Sequence, residues 1–170
     1  MFLKNSYLVL TSDHGECFER GQDSHLTPLM YESLLNIPLM ISAPGQNTRT
    51  DILSATNSVD VLPTLLHLTG HEVPDWCEGS LLPGFGGQAD PERSTFSVEA
   101  KTNPAFAALK KASLAMRKGK YKLINYIGYE SEDSFELYDL EDDPEELVDL
   151  YSTQAGIARS LTDELRASGS

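Results

Sequence analysis

The hydrophobic pattern of this chain changes character once, near residue 93, and that change constrains the fold more than any other feature. Before it, short continuous apolar runs alternate with segments of helical spacing. Tyr7 to Leu10 is a partly β-branched run of the kind that forms a strand buried on both faces. Leu29 to Leu35 suits a short helix, and Ile37-Pro-Leu-Met-Ile41 a second buried strand, with Pro38 tolerable at its start and Ala-Pro-Gly closing it. Ser54 to Gly70 offers Asn57 or Ser58 as N-cap and Asp60 in the first turn, with Val59, Leu62, Leu65 and Leu66 at helical spacing and Gly70 as a stop. Strand, helix, strand, helix is the rhythm of an α/β layer on a parallel sheet.

A Gly- and Pro-rich connection over 71–93 separates this from a different rhythm. Ser94 to Val98, Ala112 to Met116, Lys120 to Tyr126 and Phe135 to Leu140 alternate as strands do, with Lys118-Gly119 as a hairpin turn. They fit a small antiparallel sheet, and Thr153 to Ala167 reads as a helix that closes over one of its faces. Tyr121, Tyr126 and Tyr138 should pack within that sheet.

A length of 170 residues with 40% hydrophobic and 8% aromatic residues supports a globular core. The formal charge of −13 excludes nucleic acid as a partner, because phosphate binding needs a basic patch. Eleven Asp or Glu and no Lys or Arg fall within 129–149, which reads as a solvated acidic face. Cys17 and Cys77 have no metal-type spacing. No apolar run approaches the roughly 20 residues that span a bilayer, and Met1-Phe-Leu-Lys lacks the apolar core of a signal peptide. A strand so close to the first residue leads us to expect further sequence upstream.

Chemistry-bearing residues concentrate where the first strand ends, in Leu8-Val-Leu-Thr-Ser-Asp-His-Gly-Glu16. In open α/β sheets ligands bind beyond the carboxyl ends of the parallel strands. Asp13 and His14 supply one hard oxygen and one borderline nitrogen on a turn that Gly15 can tighten, which is half of a metal's protein ligands. The alternative is that Asp13 caps the turn and His14 bonds only to backbone. His67 reads as a core-edge histidine of its helix, His71 likewise, and Trp76 as loop packing.

Ser12-Asp-His-Gly-Glu16 at a strand end resembles the metal-binding signature of the alkaline phosphatase superfamily, and the text after it resembles the sulfatase branch. Tyr31-Glu-Ser-Leu-Leu-Asn-Ile-Pro-Leu-Met-Ile-Ser-Ala-Pro-Gly45 is similar to the family's helix start and following strand. Val59-Asp-Val-Leu-Pro-Thr-Leu-Leu-His-Leu-Thr-Gly70 resembles its Asp-x-x-Pro-Thr helix, and Gly79-Ser-Leu-Leu-Pro83 the loop beyond. Met116 to Ile124 and Glu136 to Glu146 look like its C-terminal sheet segments.

The resemblance implies an α/β fold: the end of a large, mainly parallel sandwich sheet, then a small four-stranded antiparallel sheet with a C-terminal helix. Residues 1–90 would belong to the sulfatase domain and 91–170 to a small α+β subdomain. It implies a metal-dependent sulfatase that hydrolyses small-molecule or saccharide sulfate esters. Asp13 and His14 would be metal ligands, for calcium first, with manganese or zinc open because His14 stands where many sulfatases have Asn. His25 falls about where the family places a Lys or His that contacts the ester, and could protonate the leaving oxygen; an ordinary loop histidine is the alternative. Glu16 reads as an orienting or turn residue.

The family's nucleophile segment, Cys/Ser-x-Pro-x-Arg, does not occur in this sequence, and Cys17 is followed by Phe-Glu-Arg without a proline. The chain therefore resembles the C-terminal portion of such an enzyme, inactive alone. Rival readings are a phosphodiesterase, phosphonate monoester hydrolase or phosphoethanolamine transferase of the same superfamily, and a non-catalytic degenerate homologue or binding module.

Overall fold

Four strands form an antiparallel meander in the order β3-β4-β5-β6 at the centre of the computed structural model, which describes residues 2–18, 20–105 and 109–168. They are β3 (Ser94–Glu99), β4 (Ala112–Lys118), β5 (Tyr121–Ile127) and β6 (Ser134–Asp139). The β4–β5 turn is Gly119-Lys120, with Gly119 at φ +56°, a conformation that costs glycine little. Cross-strand pairs Ala115↔Ile124, Met116↔Leu123 and Arg117↔Lys122 fix the register and with it the face each side chain serves.

Both faces of the sheet are covered. On one, Met116, Leu123 and Leu137 pack against Ala158, Leu161 and Leu165 of the C-terminal helix. That helix spans Ala155–Ser168, and its buried residues Ala158, Leu161, Thr162 and Leu165 follow the i, i+3, i+4, i+7 stripe. Each buried leucine contributes roughly 1.5 to 3 kcal/mol relative to exposure. On the other face, Ala115, Ile124, Tyr126 and Tyr138 meet Met30 and Tyr31, which come from the N-terminal half. The tyrosines thus pack as the sequence suggests, and burial pushes the Tyr126 hydroxyl's pKa up, with Glu136 adding to the shift.

The N-terminal half contains β1 (Leu8–Thr11), α1 (Glu32–Leu35), β2 (Leu39–Ser42) and α2 (Val61–Leu68). Here the structure corrects two expectations. The strands β1 and β2 pair antiparallel, so the large parallel sheet is absent from the described residues. A parallel pair needs a covering crossover, usually a helix, whereas the connection here carries only the four residues of α1. Nor are these strands buried on both faces: Leu8 is 52% and Leu10 51% exposed, because no described element covers them. Trp76, expected to pack in its loop, is 71% exposed, and His67 faces solvent.

The helix foreseen over 54–70 is shorter, a 3-10 turn at Ser58–Asp60 running into α2. Asn57 is its N-cap in a capping box: its side chain accepts from Val59 N, and Asp60 Oδ2 accepts from Asn57 N at 2.8 Å. Asp60 does more than cap. Its fully buried carboxylate takes a bidentate pair of hydrogen bonds from Arg93, both 2.7 Å, and a third from Ser80 N at 2.8 Å. Burial alone would raise its pKa; the bonds from Arg93, Asn57 and Ser80 outweigh that and hold it below the ordinary 3.8.

A buried pair broken on one side leaves an uncompensated charge. Arg93→Met should therefore cost about 3 to 5 kcal/mol in urea denaturation near neutral pH. The sign with pH is fixed by the lowered pKa: the contribution is complete above the unfolded value and lost as pH falls through the folded one. Native stability should accordingly drop more steeply below about pH 4 than that of the variant.

Candidate functional site

The turn after β1 is set by one close approach. Gly15 N donates to Leu34 O at 2.8 Å, and a Cβ on Gly15 would lie 2.0 Å from Ser33 O. Only glycine lets this turn press against α1. Asp13 and His14 are thereby held at the mouth of an open cleft of about 1840 Å³, whose lining includes Thr11, Asp13, His14, His25, Phe96 and Lys101.

Asp13 is almost fully solvated, its side chain 90% exposed. Its Oδ1 accepts from His14 N at 3.1 Å, and its Oδ2 lies 3.7 Å from His14 Nε2. His14 Nδ1 sits 2.7 Å from Gly15 O. A carbonyl can only accept, so Nδ1 carries a proton, and the ring turns its Nε2 to the Asp13 side. One carboxylate oxygen and one imidazole nitrogen at that spacing suit two neighbouring positions around a single divalent ion. Neither side chain has an apolar burial that would explain it.

His25 arrives from the following loop, and its ring stacks on His14 with centroids 4.1 Å apart and 28° between planes. Its Nδ1 is 3.1 and 3.3 Å from the two oxygens of Glu16. Since the carboxylate accepts, Nδ1 is the donor and Nε2 is left for an outside group. The structure thus brings together Asp13, His14, Glu16 and His25, the three expected site residues and the expected orienting one. His67 and His71 lie apart from this cleft; His71 Nδ1 instead meets Thr69 Oγ1 at 3.0 Å.

What holds the loop carrying these groups was not foreseen. Lys122, on β5, is 1% exposed and its Nζ lies 2.9 Å from Glu32 Oε1 and 2.8 Å from Glu146 Oε1. Glu146 Oε2 in turn accepts from Glu32 N, the first residue of α1, at 2.6 Å. Arg117 flanks Glu32 at 3.9 Å, so two cations balance two carboxylates. Desolvation raises the Glu146 pKa, and Lys122 opposes that without cancelling it. Arg20 adds a second tie, its guanidinium 4.0 Å above the Tyr31 ring and donating to Glu145 O. The acidic stretch therefore is not wholly solvated: Glu146 and Asp139 are buried. A signal was available for Lys122, which shares its face of β5 with buried Ile124 and Tyr126, two and four residues on.

Comparison with known proteins agrees with this architecture. A family model described as N-sulphoglucosamine sulphohydrolase, C-terminal, matches residues 25–169. The chain belongs to this sulfatase family. Choline-sulfatase of Rhizobium meliloti (strain 1021) is 33% identical over 161 residues, covering 91% of this chain and 28% of that protein. The structure of BT4656 in complex with its substrate D-glucosamine-2-N,6-O-disulfate superposes with a TM-score of 0.69 at 25% identity, over 97% of this chain and 35% of that one. The phosphonate monoester hydrolase of Agrobacterium radiobacter shares the fold, with a TM-score of 0.69 at 22% identity over 95% of this chain and 34% of that one. This chain thus spans about a third or less of the length of these relatives.

The contact of Gly15 with α1 is open to direct test. Gly15→Ala must displace either the turn or α1, an overpacking that costs about 1 to 3 kcal/mol. Its melting temperature should fall, and the His14 and His25 ring resonances should shift in NMR spectra; an unchanged spectrum would mean that this contact does not place the histidines.

Proposed function

We propose that this chain is the C-terminal part of a metal-dependent sulfatase that hydrolyses small-molecule or saccharide sulfate esters. The observation that carries the reading is the convergence at one cleft of Asp13 Oδ2 and His14 Nε2, 3.7 Å apart, beside a His25 whose Nδ1 is occupied by Glu16. The donor set fits a divalent cation: exposed, with one carboxylate oxygen and one imidazole nitrogen turned towards each other at the same turn. Bound there with further ligands, such an ion supplies Lewis-acid polarisation of a sulfuryl oxygen.

The chain's own residues do the rest. Gly15 fixes the direction of Asp13 and His14. Glu16 holds His25 by Nδ1, so that Nε2 can carry a proton to the ester oxygen as the S–O bond breaks. The family membership and the likeness to choline-sulfatase and to a glucosamine disulfate-binding enzyme support a sulfate rather than a phosphorus ester. The phosphonate monoester hydrolase likeness is one of fold alone, and it keeps phosphorus substrates in the test.

The decisive measurement is turnover of aryl sulfate, aryl phosphate and aryl phosphonate esters by the longer protein that contains this sequence and by the 170-residue chain alone. Sulfate ester should be the preferred substrate of the longer protein, and the isolated chain should show no turnover. His25→Gln should lower kcat by about 10² to 10⁴-fold, the usual contribution of a general acid, and Asp13→Asn should abolish the response to added divalent metal. Preference for the phosphonate would assign the phosphorus chemistry instead, and turnover unaffected by Asp13→Asn would remove these residues from the metal site.

A further inference from the structure

We propose that Glu16 and His25, with His14, form an alternative metal site, selective for zinc-like ions, that shares His14 with the Asp13–His14 pair. Three observations carry it. The candidate ligand atoms of His14, Glu16 and His25 all lie within 4.8 Å of one another. His25 Nδ1 stands 3.1 and 3.3 Å from the Glu16 oxygens, and two ligands of a tetrahedral zinc with bonds of about 2.0 to 2.1 Å are themselves about 3.3 Å apart. The hydrogen-bonded pair therefore already has the spacing of one edge of a zinc tetrahedron.

The third observation is the stacking of His14 on His25, with centroids 4.1 Å apart. It keeps the His14 ring beside the Glu16–His25 pair, with a ring nitrogen inside the same 4.8 Å limit. Two imidazoles and one carboxylate favour zinc and disfavour calcium, which takes six to eight oxygens. Glu16 and His25 are each about one-third exposed, so an ion reaches them without unfolding the loop, and water completes the fourth position.

Occupation of this site would have a consequence that rests on the hydrolase reading above. The ion would turn His25 away from substrate and draw His14 from its neighbour, so zinc would inhibit where a hard cation supports turnover. Binding itself is independent of that reading and is measured on the 170-residue chain.

Calorimetric titration of this chain with zinc chloride should show one saturable site, whereas calcium chloride should give little heat. Glu16→Gln and His25→Gln should each weaken zinc binding by about 100-fold or more, as loss of a ligand must exceed the 10- to 100-fold effect of losing a ligand's outer partner. Asp13→Asn, which removes none of the three ligands, should weaken it less than either. Cobalt(II), used as a spectroscopic probe on the unmodified chain, should give the intense visible bands of tetrahedral coordination and be displaced by zinc. Absence of a zinc site, equal binding by Glu16→Gln and His25→Gln, or loss of binding in Asp13→Asn with retention in Glu16→Gln would each overturn the proposal. Zinc binding in a chain whose longer form proves not to hydrolyse sulfate esters would leave the site standing and remove only its inhibitory role.

Discussion

The Lys122 ammonium, closed off from solvent between Glu32 and Glu146, is the contact on which the arrangement of this molecule depends. Taking an ammonium and two carboxylates out of water costs several kcal/mol per ion, and the attraction between them offsets this only when the geometry is good. Here it is supported at both ends. Glu146 Oε2 accepts the first amide of α1, and Arg117 supplies a second positive charge beside Glu32. The Lys122–Glu146 contact at 2.8 Å is ionic and poorly directed, since Glu146 Oε1 makes no well-aligned hydrogen bond. A network of this kind adds less to stability than an apolar core of the same volume would, and more to specificity, because few other dockings of α1 on the sheet would pair all four charges.

Through that network the rigid part of the fold reaches the site. The four-stranded sheet, packed on both faces, fixes Lys122; Lys122 and Glu146 fix α1; Leu34 O of α1 holds Gly15 N; and Gly15 sets the direction of Asp13 and His14. The polar links from Lys122 to Gly15 are named contacts between 2.6 and 2.9 Å. The site side chains themselves sit on loops and range from about one-third exposed at Glu16 and His25 to 90% at Asp13, the usual compromise of a functional loop on a rigid scaffold. His25 is held by Glu16 and by its stack on His14 rather than by the sheet.

The C-terminal half was legible in the sequence because its pattern and its burial have the same cause. Period-two strands paired by a two-residue turn, and an i, i+3, i+4, i+7 helix, leave few alternatives. Charges inside this half escaped notice: a lysine between apolar neighbours and a glutamate in an acidic run read as solvated by composition alone, although the period-two spacing of Lys122 with Ile124 and Tyr126 on β5 places it inward. The strands β1 and β2 misled in the opposite direction. Their continuous apolar runs imply two covered faces, yet no described element covers Leu8, Leu10 or Met40. Pattern reports what a strand requires, not where the covering element comes from.

At the site, Asp13 and His14 were visible as adjacent residues at a strand end, and His25 as a position in a family-like order; the relation between His25 and Glu16 was not visible at all. They are nine positions apart in the sequence, and no periodicity links them. The same limit hid the Asp60–Arg93 pair, where an acid that read only as a first-turn residue of its helix proves to be a fully buried carboxylate with four hydrogen bonds. In both cases the sequence shows a residue's local role and conceals its partner across a loop. For Asp60 the hidden partner makes a structural clamp, because burial is complete and every lone-pair direction is filled. For His25 the hidden partner leaves one ring nitrogen free and facing a cleft, and an unfilled polar atom beside a cleft is what separates a residue that can do chemistry from one that holds the fold together.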